Sequence, residues 1–126
     1  MKKELLIAFL FIISSTLSAQ SHVIKFNADG KFKIVQFTDV HYKKDTKESV
    51  VAIELINEVL DAEKPDLAIF TGDVIWAKPV KEGLDEVFAP VISRNIPWAY
   101  VFGNHDDEFG MSRQEIMDYV IQKPYC

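Results

Sequence analysis

An internal disulfide is closed to this chain: among its 126 residues there is a single cysteine, Cys126, the last of them. An exported fold without a bridge must rely on its core or on metal. Long apolar runs are also missing. The longest, residues 5–13, is nine residues long before Ser14, Ser15 and Thr16 interrupt it, whereas a membrane-spanning helix needs about 20. Positive charge is in deficit, with 14 Lys and Arg against 19 Asp and Glu and a net charge of -5. That leaves no electrostatic footprint for nucleic acid. Repeats, linkers and low-complexity tracts are absent, and a length of 126 residues with 48% hydrophobic content suits one domain with one core. Histidine is sparse: His22, His41 and His105 are all there are, and none follows position 105.

What is present begins with an export signal. Lys2 and Lys3 precede the apolar run, and Ser14 to Ala19 are mostly small, the pattern of a secretory signal peptide over residues 1–19. Cleavage after Ser18 or after Ala19 fits. The mature chain, residues 20–126, is expected to be soluble, exported to the periplasm or secreted, and free of the membrane once the leader is removed. Setting aside Lys2, Lys3 and Glu4 leaves 12 basic and 18 acidic residues, a net charge of about -6. Lys43, Lys44 and Lys47 read as solvated surface lysines, with attraction of an anionic substrate as the alternative.

The patterning predicts an α/β chain. Segments 23–26 and 32–37 read as strands around Asn27-Ala28-Asp29-Gly30, whose Asp-Gly supplies the positive-φ position of a tight turn, so a hairpin is expected. Asp45-Thr46-Lys47-Glu48 has the form of a capping box. Val50, Ile53, Ile56 and Leu60, widened by Val51, Leu55 and Val59, predict an amphipathic helix ending near Glu63, ahead of Pro65. Residues 67–71 are a short apolar run, as expected of a strand covered on both faces. Leu84, Val87, Phe88, Val91 and Ile92 predict a second helix, started by Gly83 or its neighbours and kinked or split at Pro90. A third strand follows Pro97 at 98–102. Ser112 with Glu115 is a second capping box, opening a helix through Ile116, Met117, Val120 and Ile121 that stops before Pro124. Strand, helix, strand, twice over, describes parallel crossovers, whose sheets need cover on both faces. The sequence therefore reads as the front part of a larger domain, with apolar faces left open, parts of 84–92 among them.

Three polar clusters stand directly after the strands: Asp39-Val40-His41, Gly72-Asp73 and Gly103-Asn104-His105-Asp106. Ligands of open α/β sheets collect beyond the carboxyl ends of the strands. Taken singly, each cluster is ordinary turn or cap chemistry. Taken together they are left without a structural task, because the helix starts have their own cap candidates. Carboxylate and imidazole two residues apart, at Asp39 and His41, can surround one ion.

In order and spacing, 34 residues from Asp39 to Asp73 and 31 from Asp73 to Asn104, these clusters resemble the calcineurin-like metallophosphoesterases. The wording Phe-Thr-Asp-Val-His and Phe-Gly-Asn-His-Asp-Asp-Glu is most similar to the purple-acid-phosphatase-like branch. The resemblance implies the N-terminal part of a four-layer α/β/β/α sandwich. It also implies a site for two divalent metal ions acting on phosphate esters: Asp39 and His41 on the first ion, Asp73 bridging, Asn104 on the second. His105 would stand beside the phosphate as acid or electrostatic stabiliser, its ring oriented by Asp106. Such a pair lowers the pKa of a bound water and clamps the phosphoryl oxygens.

The pattern also departs from that family. Purple acid phosphatases carry a metal-binding tyrosine three positions after the Gly-Asp aspartate, where this chain has Trp76. Indole ligates no metal, so the resemblance implies an all-divalent pair among Mn, Fe, Zn and Mg, a choice the donor set does not make. The family's later histidines, including Gly-His-x-His, have no counterpart after His105. Two functional readings follow: a metal-dependent phosphoesterase, with monoesters expected and diesters open, or a truncated, catalytically incompetent fragment or weak metal-binding module. A third, an adhesion domain, rests only on Trp76, Phe88 and Trp98, which as core residues need no such role.

Overall fold

The computed structural model describes residues 24–126. The leader expected at 1–19, together with His22 and Val23, lies outside the described residues. Three parallel strands in the order β1-β2-β3 alternate with helices: β1 (Ile34–Phe37), α1 (Lys47–Glu63), β2 (Leu67–Phe70), α2 (Val80–Ser93), β3 (Trp98–Tyr100) and α3 (Arg113–Val120). The α/β expectation of parallel crossovers is borne out. Ile34 to Phe37 pair with Leu67 to Phe70 in register, and Ala68 to Phe70 pair with Trp98 to Tyr100.

Because side chains alternate along a strand, Ala68, Phe70, Trp98 and Tyr100 all point to one side. There they join Ile56 and Leu60 of α1, Leu84, Val87, Phe88 and Val91 of α2, and Ile116 and Val120 of α3 in a single core. Phe88 stacks on Trp98 at a centroid distance of 4.3 Å and meets Phe70 edge-on at 4.9 Å. The other side of the sheet, with Ile34, Leu67, Ile69 and Ala99, has no such cover among the described residues: Ile34 is 52% exposed. The double-sided burial expected for β2 is therefore replaced by burial on one side.

Several local expectations are corrected. The hairpin before β1 does not form. Its turn exists, with the Gly30 N–H donating to the Asn27 carbonyl (2.9 Å) and Gly30 at φ +76°, but Ile24 and Phe26 are exposed and not in a strand. Asp66, just before β2, draws the turn away. Its carboxylate accepts both from Asn27 Nδ2 (3.1 and 2.9 Å) and from the Lys33 N–H (2.7 Å). The cap of α1 falls on Thr46, whose hydroxyl accepts from the Ser49 N–H, since Asp45 has a left-handed φ of 62° rather than the extended backbone a cap requires. The helix ends at Glu63 as expected, closed by the left-handed Lys64. Its broad apolar face is only partly used, with Val50, Val51 and Leu55 exposed.

Helix α2 starts at Val80, three residues before Gly83, and runs through Pro90 without a break. Gly83 serves packing instead of capping: a Cβ there would stand 3.0 Å from Ile75 Cδ1 and 3.2 Å from Tyr42 Cδ1. Residues Leu84, Val87, Phe88 and Val91, expected to be partly uncovered, are fully buried. Ser112 and Glu115 form the capping box as read, with the Ser112 N–H donating to Glu115 Oε2 (2.8 Å). Ile121 falls just past the end of α3 and is exposed. The Trp98 N–H donates to the Tyr125 carbonyl (2.9 Å), which lays the last residues along the free edge of β3.

Candidate metal centre

The pairing of β1 with β2 continues past both strand ends. The Asp39 N–H donates to the Gly72 carbonyl (3.1 Å), the His41 N–H to the Asp73 carbonyl (2.9 Å) and the Tyr42 N–H to the Val74 carbonyl (2.9 Å). Two loops that would otherwise diverge run side by side, and their polar residues arrive at one place. Asp39, His41 and Asp73 all adopt left-handed backbone, with φ of 54°, 47° and 51°. For non-glycine residues this costs of order 1–3 kcal/mol each. Such strain persists only where the surroundings over-determine it.

Asp106 supplies that constraint. Its carboxylate is buried at 1% exposure and accepts four backbone N–H groups: Asp73 (2.9 Å), Val74 (2.7 Å), Ile75 (3.2 Å) and Gly103 (2.8 Å). In return Asp73 Oδ1 accepts the His105 N–H at 2.9 Å. The loops after β2 and β3 are thus bolted together through two carboxylates. The two motif glycines make the approach possible, since a Cβ on Gly72 would lie 2.3 Å from the Gly103 nitrogen and one on Gly103 would lie 2.0 Å from Asp73 Oδ1.

One ligand atom each from Asp39, His41 and Asp73 lies within 4.8 Å of the others, and His41 Nε2 is 3.9 Å from Asp73 Oδ2. Two carboxylates and an imidazole converge here, and among the described residues neither carboxylate has a lysine or arginine in ion-pair contact. A divalent cation fits this donor set. The Thr38 hydroxyl donates to Asp39 Oδ2 (2.6 Å) and steadies one ligand. Asn104 is exposed on the loop beside His105.

A family model for calcineurin-like phosphoesterases matches residues 32–125, which contain every one of these side chains. The chain belongs to that family. Among curated relatives, this calcineurin-like chain is 35% identical over 124 residues to the "Probable inactive purple acid phosphatase 29" of Arabidopsis thaliana, covering 85% of this chain and 32% of the relative. It is 37% identical over 114 residues to "Phosphatase DCR2" of Saccharomyces cerevisiae, covering 77% and 20%, and 37% identical over 91 residues to "Uncharacterized metallophosphoesterase YkuE" of Bacillus subtilis, covering 69% and 30%. The chain spans about a third of the length of its Arabidopsis relatives. No solved structure matches it.

The structure corrects one expected role in this calcineurin-like site. Asp106 does not orient the His105 ring, because its oxygens are occupied by backbone amides. Glu108 is the acid at the ring instead, its Oε2 3.0 Å from His105 Nδ1, an ion-pair contact off the straight hydrogen-bond line. This contact raises the His105 pKa above its ordinary value, with the charges of Asp73 and Asp106 adding in the same sense against some desolvation. Glu108 was not singled out from the sequence, although an acid three residues after a motif histidine, on one turn, was the available signal. Trp76 also has a place: its ring stands edge-on to His41 (4.6 Å) and to His105 (4.5 Å), between the two imidazoles.

Two outcomes test this construction. Asp106→Ala strands four buried donors, so urea unfolding should show a loss of about 3 kcal/mol or more, with His105 and Asp73 resonances shifting together; a loss within about 0.5 kcal/mol, as for an ordinary surface change, would contradict the bolt. Glu108→Gln should lower the His105 titration midpoint in the chelator-treated protein, read from its ring-proton NMR shifts. The sign is fixed by linkage: stability from a raised histidine pKa is complete below the ordinary value of 6.5 and fades as pH rises through the folded value.

Proposed function

We propose that this chain supplies the metal-holding front of a dinuclear phosphoesterase site that hydrolyses phosphate esters, monoesters before diesters. The convergence of Asp39, His41 and Asp73 at the strand ends carries the reading. Asp39 and His41 would hold one divalent ion of the Mn, Fe, Zn or Mg class, and the Asn104 side-chain oxygen a second. Asp73 is suited to stand between them, because the His105 N–H holds Oδ1 while Oδ2 faces His41. Paired divalent ions supply a clamp on phosphoryl oxygens and an activated water. His105, kept protonated further toward neutral pH by Glu108, is placed to donate a proton to the departing oxygen.

Ligand count favours a second reading, a weak metal-binding module with little or no turnover. The trio serves one ion, while the second has Asn104 and a share of Asp73, which leaves that ion largely to water. Three of the relatives it matches are named as probable inactive purple acid phosphatases. Titration of the purified chain with Mn²⁺ or Zn²⁺, beside an assay on p-nitrophenyl phosphate, separates the two. The phosphoesterase reading expects hydrolysis that a chelator removes and that Asp73→Ala lowers at least a hundredfold, by about 2.7 kcal/mol of barrier. The module reading expects one ion bound per chain, weakened in the same variant, with no hydrolysis.

Export is proposed on the same footing, from Lys2, Lys3 and the apolar run at 5–13. Expression from the full reading frame should yield a periplasmic or secreted product whose intact mass begins at Ala19 or Gln20. A cell-retained product beginning at Met1 contradicts it.

A further inference from the structure

Beside the metal trio lies a cavity of about 360 Å³, lined by Val40, His41, Lys43, Thr46, Ser49 and Trp76 together with Glu48. That is within the range that holds a small organic group. His41 belongs both to this cavity and to the ligand trio, so the two are contiguous. We infer that this cavity receives the organic group of the phosphate ester, and that it selects a flat aromatic group over a polyol.

The selection follows from what the walls have left to offer. Both hydroxyls are already committed: Thr46 Oγ1 donates to the Lys43 carbonyl (3.0 Å) and lies 2.9 Å from Ser49 Oγ, which itself accepts the Lys43 N–H at 2.8 Å. A sugar or glycerol group finds both wall hydroxyls occupied, and the charged groups left to it, Lys43 and Glu48, are exposed side chains that water already solvates. Lys43 and Glu48 carry opposite charges, so the cavity has no net charge to attract a second anion. Lys43 stands with Nζ over the Trp76 ring, 5.8 Å from its centroid, a cation–π contact on the indole, and among the described residues makes no ion pair, whereas its neighbour Lys44 is paired with Glu82. What remains for a ligand is the uncovered part of the Trp76 indole and the methyl groups of Val40, an apolar surface that suits an aromatic ring.

The inference rests on the phosphoesterase reading, and phosphonates, which are not hydrolysed, test both at once. The full chain, loaded with Mn²⁺, is titrated calorimetrically with methylphosphonate and with 1-naphthylmethylphosphonate. The naphthyl compound should bind about tenfold more tightly. That ratio should collapse toward one in Trp76→Ala and be largely kept in Trp76→Phe. In the unsubstituted chain loaded instead with diamagnetic Zn²⁺, the indole N–H resonance of Trp76, and not that of Trp98, should move on adding the naphthyl compound, a readout independent of how any variant folds. Equal affinity for the two phosphonates, a ratio that survives Trp76→Ala, or a Trp76 resonance that stays in place overturns the aromatic subsite while leaving the metal reading intact. Failure of both phosphonates to bind the metal-loaded chain overturns the phosphoesterase reading and this inference with it.

Discussion

The buried carboxylate of Asp106 is the contact on which the rest of this site depends. A carboxylate withdrawn from water is costly unless its charge is met by donors, and here four backbone amides meet it, three from the loop after β2 and one from the loop after β3. The stabilisation runs both ways. The amides would themselves be buried without partners, and the strand ends would be free to separate. Because Asp73 answers by holding the His105 amide, the ligand-bearing loop and the histidine-bearing loop behave as one rigid piece. A fixed donor set holds an ion better than one that must be assembled on binding.

The same rigidity explains how three candidate ligands can keep an unfavourable backbone. Asp39, His41 and Asp73 are left-handed because the ladder between the first two loops extends beyond the strands and dictates where each carbonyl must point. Local preference is overruled by pairing. Bringing Asp39 and Asp73 together also sets two acidic groups near each other, with no lysine or arginine in contact among the described residues. Strain and like-charge crowding at one place are the marks of a site shaped for a ligand rather than for stability.

Much of this could be read from the residues. Strands 34–37, 67–70 and 98–100 announced themselves by apolar, β-branched and aromatic runs, the end of α1 by Pro65, and the start of α3 by Ser112 and Glu115. The site residues stood out because polar clusters followed strands. What escaped was set by partners distant in the chain. The turn at Asn27 looked like half a hairpin because Asp66, 39 residues away, is invisible to local pattern. Asp106 looked like a ring-orienting acid because three of the four amides it binds lie 31 to 33 residues earlier. Pro90 looked like a helix break, yet the helix carries on across it within a core that buries Val87, Phe88 and Val91 on either side. Lys43 and Lys44, adjacent and alike in sequence, diverge because only one faces an acid on α2.

The contact between Gly72 and Gly103 bears on how this scaffold can change. Two main chains that touch without side chains between them leave no room for adjustment at either position, and a substitution at one cannot be rescued by shrinking the other. The route open to diversification is the neighbouring wall, where Val40, Lys43 and Trp76 border open space and can vary in bulk and charge one at a time. Selection for new substrates, in nature or in a mutant library, would therefore be written in the wall while the glycine seam stays constant.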